Sequence, residues 1–182
     1  MATVRSELVR IAKASIEEFL STSDGFKEYS STSQNIAPSD GVASYAAIVG
    51  YTGELIKGSL VLLCDKRLLE VSHPNLAMGM PVEDQDLNDW IGEVANQLLG
   101  RMKNKFSASG LKCTMGTPTI LVAQALNVAD PKEGFRECLN YVGPHQNVSV
   151  YFIAIVDPTV TVESLSPKAE SASAVEGDSF LF

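Results

Sequence analysis

The sequence predicts an α+β domain, an antiparallel sheet of five to six strands with two long helices packed over one face. Three observations lead there. Two long stretches repeat their apolar residues at steps of three and four, the spacing of an amphipathic helix. Shorter apolar or β-branched runs lie between and after them, and Gly, Pro, Asp and Asn gather between those runs as turns. With 182 residues, 45% hydrophobic and 20% charged, the chain can bury the core of a single domain. We expect that domain to occupy residues 1–157, ahead of a flexible Ser/Ala/Glu-rich tail over 158–182.

The elements follow in order. Val4, Leu8, Ile11, Ala12, Ser15 and Phe19 recur at helical spacing and predict a first helix over residues 3–21. Phe26 to Gln34 is polar and β-branched enough for an edge strand, and Pro38 with Asp40-Gly41 marks the turn after it. Val42–Val49 and Ile56–Cys64 are apolar runs joined by GYTGELIKG, a hairpin in which Gly50, Gly53 and Gly58 are expected as turn or bulge residues. Asp65 to Met78 looks helical but is interrupted at His73-Pro74, so a short helix followed by a loop reaching Pro81 is expected. The longest helix is expected from Glu83 to Ser107, capped by Asp84 or Asp86 and stopped by Ser109-Gly110. Lys112–Ala125, Gly134–Val142 and Asn147–Val156 complete the strands. The tail after Pro158 has no period and ends in Phe180-Leu181-Phe182, an apolar hook suited to a partner or to the domain itself.

Composition narrows the function classes. A formal charge of −8 without clustered Lys and Arg argues against a nucleic-acid surface. The N-terminus lacks an apolar leader, and Val150–Val156, the longest apolar run, is too short to span a bilayer, so a cytoplasmic protein with no membrane partner is expected. Cys64, Cys113 and Cys138 are widely spaced among apolar neighbours and read as reduced core thiols. His73 and His145 have no metal-ligand spacing and read as surface or loop residues. The glycine-rich hairpin lacks the spacing of a phosphate loop, and no nucleophile elbow is present.

What remains is one stripe of the long helix. Asp89, Glu93, Asn96 and Gly100 are spaced i, i+4, i+7 and i+11 and fall within about 60° of arc. Leu87, Ile91, Val94, Ala95, Leu98 and Met102 occupy the opposite side and fix the helix to the core. The polar stripe therefore points outward. A carboxylate and a carboxamide one turn apart can grip a cation and aim a water. An exposed mid-helix glycine costs about 1 kcal/mol against alanine, so Gly100 suggests close approach by a partner. Trp90 flanks the stripe and reads as a packing residue at its rim. Taken alone, a Glu-x-x-Asn is also what a solvated helix face presents.

The order of the pieces is more specific than the tetrapeptide. A leading helix, a hairpin with a G-x-x-G-x-x-x-x-G turn, the helix pattern D-x-x-x-E-x-x-N-x-x-x-G at Asp89 to Gly100 and the strand approach Gly116-Thr-Pro-Thr119 together resemble the CheC, CheX and FliY chemotaxis phosphatases, with CheX the nearest, over residues 5–157. CheC-type members carry a second Glu-x-x-Asn on the first long helix. Here Glu17 and Glu18 have no Asn three residues on, which leaves a single-site, CheX-like pattern. Two departures remain: Gln97-Leu98-Leu99 stands where the family often writes Met-Ile-Ala, and the tail is an addition.

The resemblance implies a phosphatase acting on the aspartyl-phosphate of a CheY-like response regulator in two-component signalling. By the same resemblance Asn96 orients the attacking water, Glu93 pairs with the regulator's lysine, and Asp89 and Gly100 help to dock the partner. The regulator brings its own Mg²⁺, so no cofactor is expected on this chain. The resemblance also implies a homodimer joined through sheet edges. The alternative is a non-catalytic regulator-binding or scaffold module of the same fold. Intact Glu93 and Asn96 favour the enzyme.

Overall fold

A computed structural model describes residues 2–34, 44–124, 126–144 and 147–165. Helix α1 spans Val4–Thr22, and its Thr3 N-cap accepts a hydrogen bond from the Ser6 amide at 3.1 Å. Strand β1 is Ser30–Thr32, β2 Ser44–Thr52 and β3 Ile56–Asp65. Two short helices follow, α2 at Lys66–Ser72 and α3 at Pro74–Ala77; the break at His73-Pro74 is as expected, but the expected loop after it begins with a helical turn, Pro74 standing at its first position and His73 capping it. Helix α4 covers Asp84–Ala108, and β4 (Thr114–Met115), β5 (Thr119–Ala123), β6 (Phe135–Val142) and β7 (Asn147–Val156) close the sheet. A 3₁₀ turn at Glu163–Leu165 ends the described chain.

The sheet is antiparallel in every pairing, ordered β1-β6-β7-β3-β2, with β4 and β5 both laid along the outer side of β2. Alternate residues divide its two faces, as the period of a strand requires. Tyr45, Ala47, Val49, Leu60, Leu62, Val150 and Phe152 meet α1 and α4 in the main core, whereas Ala46, Val61 and Leu63 face the other way beneath Leu126 and Val128. Both long helices therefore lie over one face. Because β2, β3 and β7 are covered on both sides, their sequences read as nearly continuous apolar runs.

Several expectations are corrected. The expected Lys112–Ala125 strand is two strands, making seven among the described residues. Pro118 has no N–H to give to β2, and the amide of Gly116 instead reaches the Gly50 carbonyl at 2.8 Å. The expected Phe26–Gln34 strand shrinks to β1, because Phe26 and Tyr29 turn inward and join Phe19 in an aromatic row with centroids 5.5 and 6.0 Å apart. Of the three hairpin glycines only Gly53 sits in the turn. Gly50 and Gly58 are paired strand residues, and a Cβ on Gly58 would run into the Ile153 carbonyl. Its absence leaves room for the Tyr51 hydroxyl to donate to that same oxygen at 2.9 Å.

The cap of α4 is corrected as well. Its N-cap is Glu83, and Asp86 acts from the first turn by accepting the Glu83 amide at 2.8 Å. The end is as expected: Ser109 is the C-cap, followed by Gly110 at φ 80°, a conformation that favours glycine. Packed structure also continues past residue 157, since Val160 and Leu165 are buried in the main core. The rest of the tail, with Phe180-Leu181-Phe182, lies outside the described residues, as do His145 and the Pro38 turn. Cys64 is buried, Cys113 and Cys138 are half-buried, and all three are free. Among the described residues no helix is long and apolar enough to cross a membrane.

Candidate functional site on helix α4

The core side of α4 is set by Leu87, Ile91, Val94, Ala95, Leu98 and Met102, all buried, and this fixes the rotation of the helix about its axis. The opposite stripe is thereby presented outward: Asp89 and Glu93 are exposed, while Asn96 and Gly100 are half-buried. The helix brings together all four residues that the sequence singled out. Gly92 is buried on the adjacent strip, where a Cβ would lie 3.5 Å from Ile120 and 3.7 Å from Pro118, so α4 rests here on the Gly116–Thr119 approach to β5. At roughly 100° per residue Asn96 stands about 40° from Gly92, on the β5 side of the stripe. Glu93 stands on the other side, toward Trp90.

Trp90 ties that second side down. Its indole N–H donates to the Ser72 hydroxyl at 3.0 Å, and its ring meets His73 edge-on at 5.7 Å. His73 is a structural residue, with Nδ1 accepting the Asn75 amide at 3.0 Å as the N-cap of α3. The chain between α2 and α4 is thus pinned beside the stripe.

Within the stripe the carboxylates are held by neutral groups. The Gln97 carboxamide donates to Glu93 Oε1 at 2.8 Å, and that of Gln85 donates to Asp89 Oδ1 at 3.2 Å. Sequence reading passed over both glutamines as site residues, although the i,i+4 carboxamide–carboxylate spacing was there to be seen. Among the described residues neither Glu93 nor Asp89 has an ion pair, and the Asn96 side chain has no hydrogen-bond partner. Lys66 pairs with Asp84 at 2.7 Å, and Arg101 reaches back to Glu18 and Thr22 of α1 at 3.0 and 3.1 Å, while Lys103, one turn past Gly100, has no ion pair among the described residues. The stripe therefore keeps uncompensated negative charge beside an amide that can both donate and accept. A Cβ built on Gly100 meets nothing within 4 Å, so its lack of a side chain answers to no contact inside the chain. Among the described residues no group of three or more His, Cys, Asp or Glu side chains is placed to hold a metal ion.

Residues 45–141, more than half of the chain, match the family model described as chemotaxis phosphatase CheX. The chain belongs to the CheX family. Solved relatives share its fold. CheX from Vibrio vulnificus, at 20% identity, aligns over 81% of this chain and 99% of its own with a TM-score of 0.68. CheX from Desulfovibrio desulfuricans, also at 20% identity, aligns over 83% and 99% with a TM-score of 0.62. CheX from Borrelia burgdorferi, solved as a CheX-CheY-BeF₃-Mg²⁺ complex, is 15% identical and aligns over 83% and 97% with a TM-score of 0.56. Comparison with curated proteins finds no match.

Proposed function

We propose that this CheX-family chain hydrolyses the aspartyl-phosphate of a CheY-like response regulator. The observation that carries the reading is the outer stripe of α4, where Glu93 and Asn96 lie one turn apart with no ionic partner in the described chain. The regulator partner is supported by the Borrelia relative, whose complex contains CheY. With the regulator docked, Asn96 enters its phosphorylation site and its carboxamide holds a water in line with the phosphorus. The water oxygen bonds to phosphorus, the bond from phosphorus to the aspartyl oxygen breaks, and the aspartate leaves as carboxylate while the proton of the water stays with inorganic phosphate. Such a reaction asks for positioning more than covalent help from the protein. A neutral amide suits it, adding no negative charge beside the phosphoryl group.

Glu93 accepts the regulator's lysine through oxygen capacity that Gln97 leaves free and so fixes the orientation of the two proteins. Asp89 adds charge to the same contact. Gly100 lets the partner's backbone approach the helix. The pairing unit on our reading is a homodimer joined along β5: this outermost strand exposes Leu121 at 43% and Val122 at 51%, one on each face, an edge that a second copy would cover.

The test is release of inorganic phosphate from a phosphorylated CheY-like regulator with and without this protein. Acceleration at substoichiometric protein is expected. A complex that forms without acceleration would replace the enzyme by the regulator-binding module.

A further inference from the structure

We propose that the exposed apolar turn Leu76–Met80 is a second docking element for the same response regulator, receiving an apolar patch beside the regulator's phosphorylation site. The inference rests on the function proposed above. Of the five large hydrophobic residues exposed among the described ones, three stand in this one turn: Leu76 at 51%, Met78 at 62% and Met80 at 44%. Clustered exposure of that kind marks an interaction surface, whereas scattered single residues do not.

The turn is built to hold its place. The Met78 and Met80 amides both donate to the Asn75 carbonyl, at 3.1 and 2.9 Å, and the Gly79 amide donates to Leu76 at 3.0 Å. Its anchor is the contact of Trp90 with Ser72 and His73, which sets the turn beside the first turns of α4. Along the helix axis this is roughly 10–15 Å from Asn96, at 1.5 Å per residue. A standard interface covers about 800 Å² per partner, a disc of roughly 16 Å radius. A regulator that seats Asn96 in its active site is therefore large enough to reach the turn as well.

Charge selects the occupant. Glu83, Asp84 and Asp86 lie at the start of α4, just after the turn in sequence, and Asp89 and Glu93 lie on the stripe; of these only Asp84 has an ion pair among the described residues. A second copy docked face to face here would set these carboxylates against themselves. The tail segment 166–182 carries Glu170, Glu176 and Asp178 against one lysine, Lys168, and meets the same repulsion. A partner presenting a lysine beside apolar side chains meets complementary charge on the stripe and complementary apolar surface on the turn. Two methionines suit such a contact because their unbranched side chains adapt to the facing surface.

The experiment titrates the full-length protein with a CheY-like regulator carrying beryllofluoride, a stable stand-in for the phosphoryl group, and measures phosphate release in parallel. The variant Leu76→Ser/Met78→Ser/Met80→Ser is expected to keep its unfolding midpoint, to weaken complex formation at least about tenfold, and to dephosphorylate at the unaltered rate once the regulator is saturating. Met78→Leu/Met80→Leu, which keeps the apolar surface, is expected to bind as the parent does. Asn96→Ala should behave in the opposite way, binding but not hydrolysing. Unchanged affinity in the triple serine variant overturns the docking element and leaves the phosphatase reading standing. A triple variant that loses self-association, with regulator affinity intact, assigns the turn to a second copy and also overturns it. No binding by the parent protein removes both.

Discussion

Helices α1 and α4 lie side by side over the same face of the sheet, yet they treat their outward carboxylates differently. On α1 every acid has a cation: Glu7 meets Arg10 at 2.6 Å, Glu17 meets Lys13 at 3.7 Å, and Glu18 is held by Arg101 and Lys105 at 3.0 and 2.7 Å. On the α4 stripe Asp89 and Glu93 have only glutamine carboxamides. The charge of α1 is settled within the chain, whereas that of α4 is left for something outside it. Glu17 and Glu18 are exposed as Asp89 and Glu93 are, so exposure alone hides unequal availability. On our proposal, carboxylates in internal ion pairs mark a solvated face, and unpaired ones beside an amide and an open glycine mark a face prepared for a partner.

The strongest way to break this contrast is at Asn96. Asn96→Ala is expected to lower the rate of dephosphorylation by about two orders of magnitude or more, as for a group that positions a reactant, while the unfolding midpoint and regulator binding stay near those of the parent. Asn96→Asp is nearly isosteric but adds a charge and removes the amide donor, so it should be at least as damaging. If phosphate release from both variants matches the parent, the prepared face is a binding surface only.

Gly100 sharpens the contrast by separating stability from function. The open space around it means Gly100→Ala should stabilise the helix by about 1 kcal/mol, read as a higher unfolding midpoint. Gly100→Leu has the same helical advantage but would hold a partner's backbone away, and about a tenfold loss of regulator affinity is expected from it. A Leu variant that is more stable and binds unchanged would show that nothing approaches the helix there.

Glu93 comes next. Glu93→Ala should weaken the complex about tenfold at low salt, in the range of one charge-assisted hydrogen bond, with turnover at saturating regulator less affected. Because exposed ion pairs are screened, the gap between parent and variant should narrow as ionic strength rises. A gap independent of salt would assign Glu93 to something other than an ion pair.

Much of this arrangement was legible in the sequence, for a physical reason. A helix repeats its faces, so the apolar period that places Leu87 to Met102 in the core also places Asp89, Glu93, Asn96 and Gly100 together outside it. Strand β7 matches its sequence bounds at Asn147 and Val156 because Val148, Val150, Phe152 and Ala154 are buried on one face and Tyr151, Ile153 and Ile155 are apolar and half-buried on the other. The misreadings occur where long-range contacts override local pattern. Phe26 and Tyr29 look like strand residues but are drawn into the aromatic row with Phe19, and Val160 and Leu165 pack into the core from a stretch whose composition suggests a tail. Glu83 is a weak N-cap by residue type, and the capping box it forms with Asp86, whose carboxylate reaches back to the Glu83 amide, makes it one. The apolar turn at Leu76–Met80 was hidden for the opposite reason. Nothing local distinguishes three hydrophobic residues that stay exposed from three that become buried.

The smallest expected effect lies on α1 and serves as the control for the comparison. Glu18 donates no function on our reading: its carboxyl is held below the usual carboxylate range, first by the hydrogen bond from Lys105 and then by the charges of Lys105 and Arg101. A carboxyl whose value is depressed by folding adds stability that is fully present above its unfolded value and is lost as pH falls through the folded one. Glu18→Gln should therefore lower the unfolding midpoint slightly at neutral pH, with the difference from the parent fading on acidification below the ordinary carboxylate range and in high salt, since the group is exposed. Thermal unfolding of both proteins across pH reads this directly. Phosphate release should be unchanged, because the cations freed by the substitution, Arg101 and Lys105, belong to the seam between the two helices and not to the stripe. If Glu18→Gln slows dephosphorylation as much as Glu93→Ala weakens binding, internal pairing does not separate the solvated face from the prepared one, and the contrast between the two helices fails.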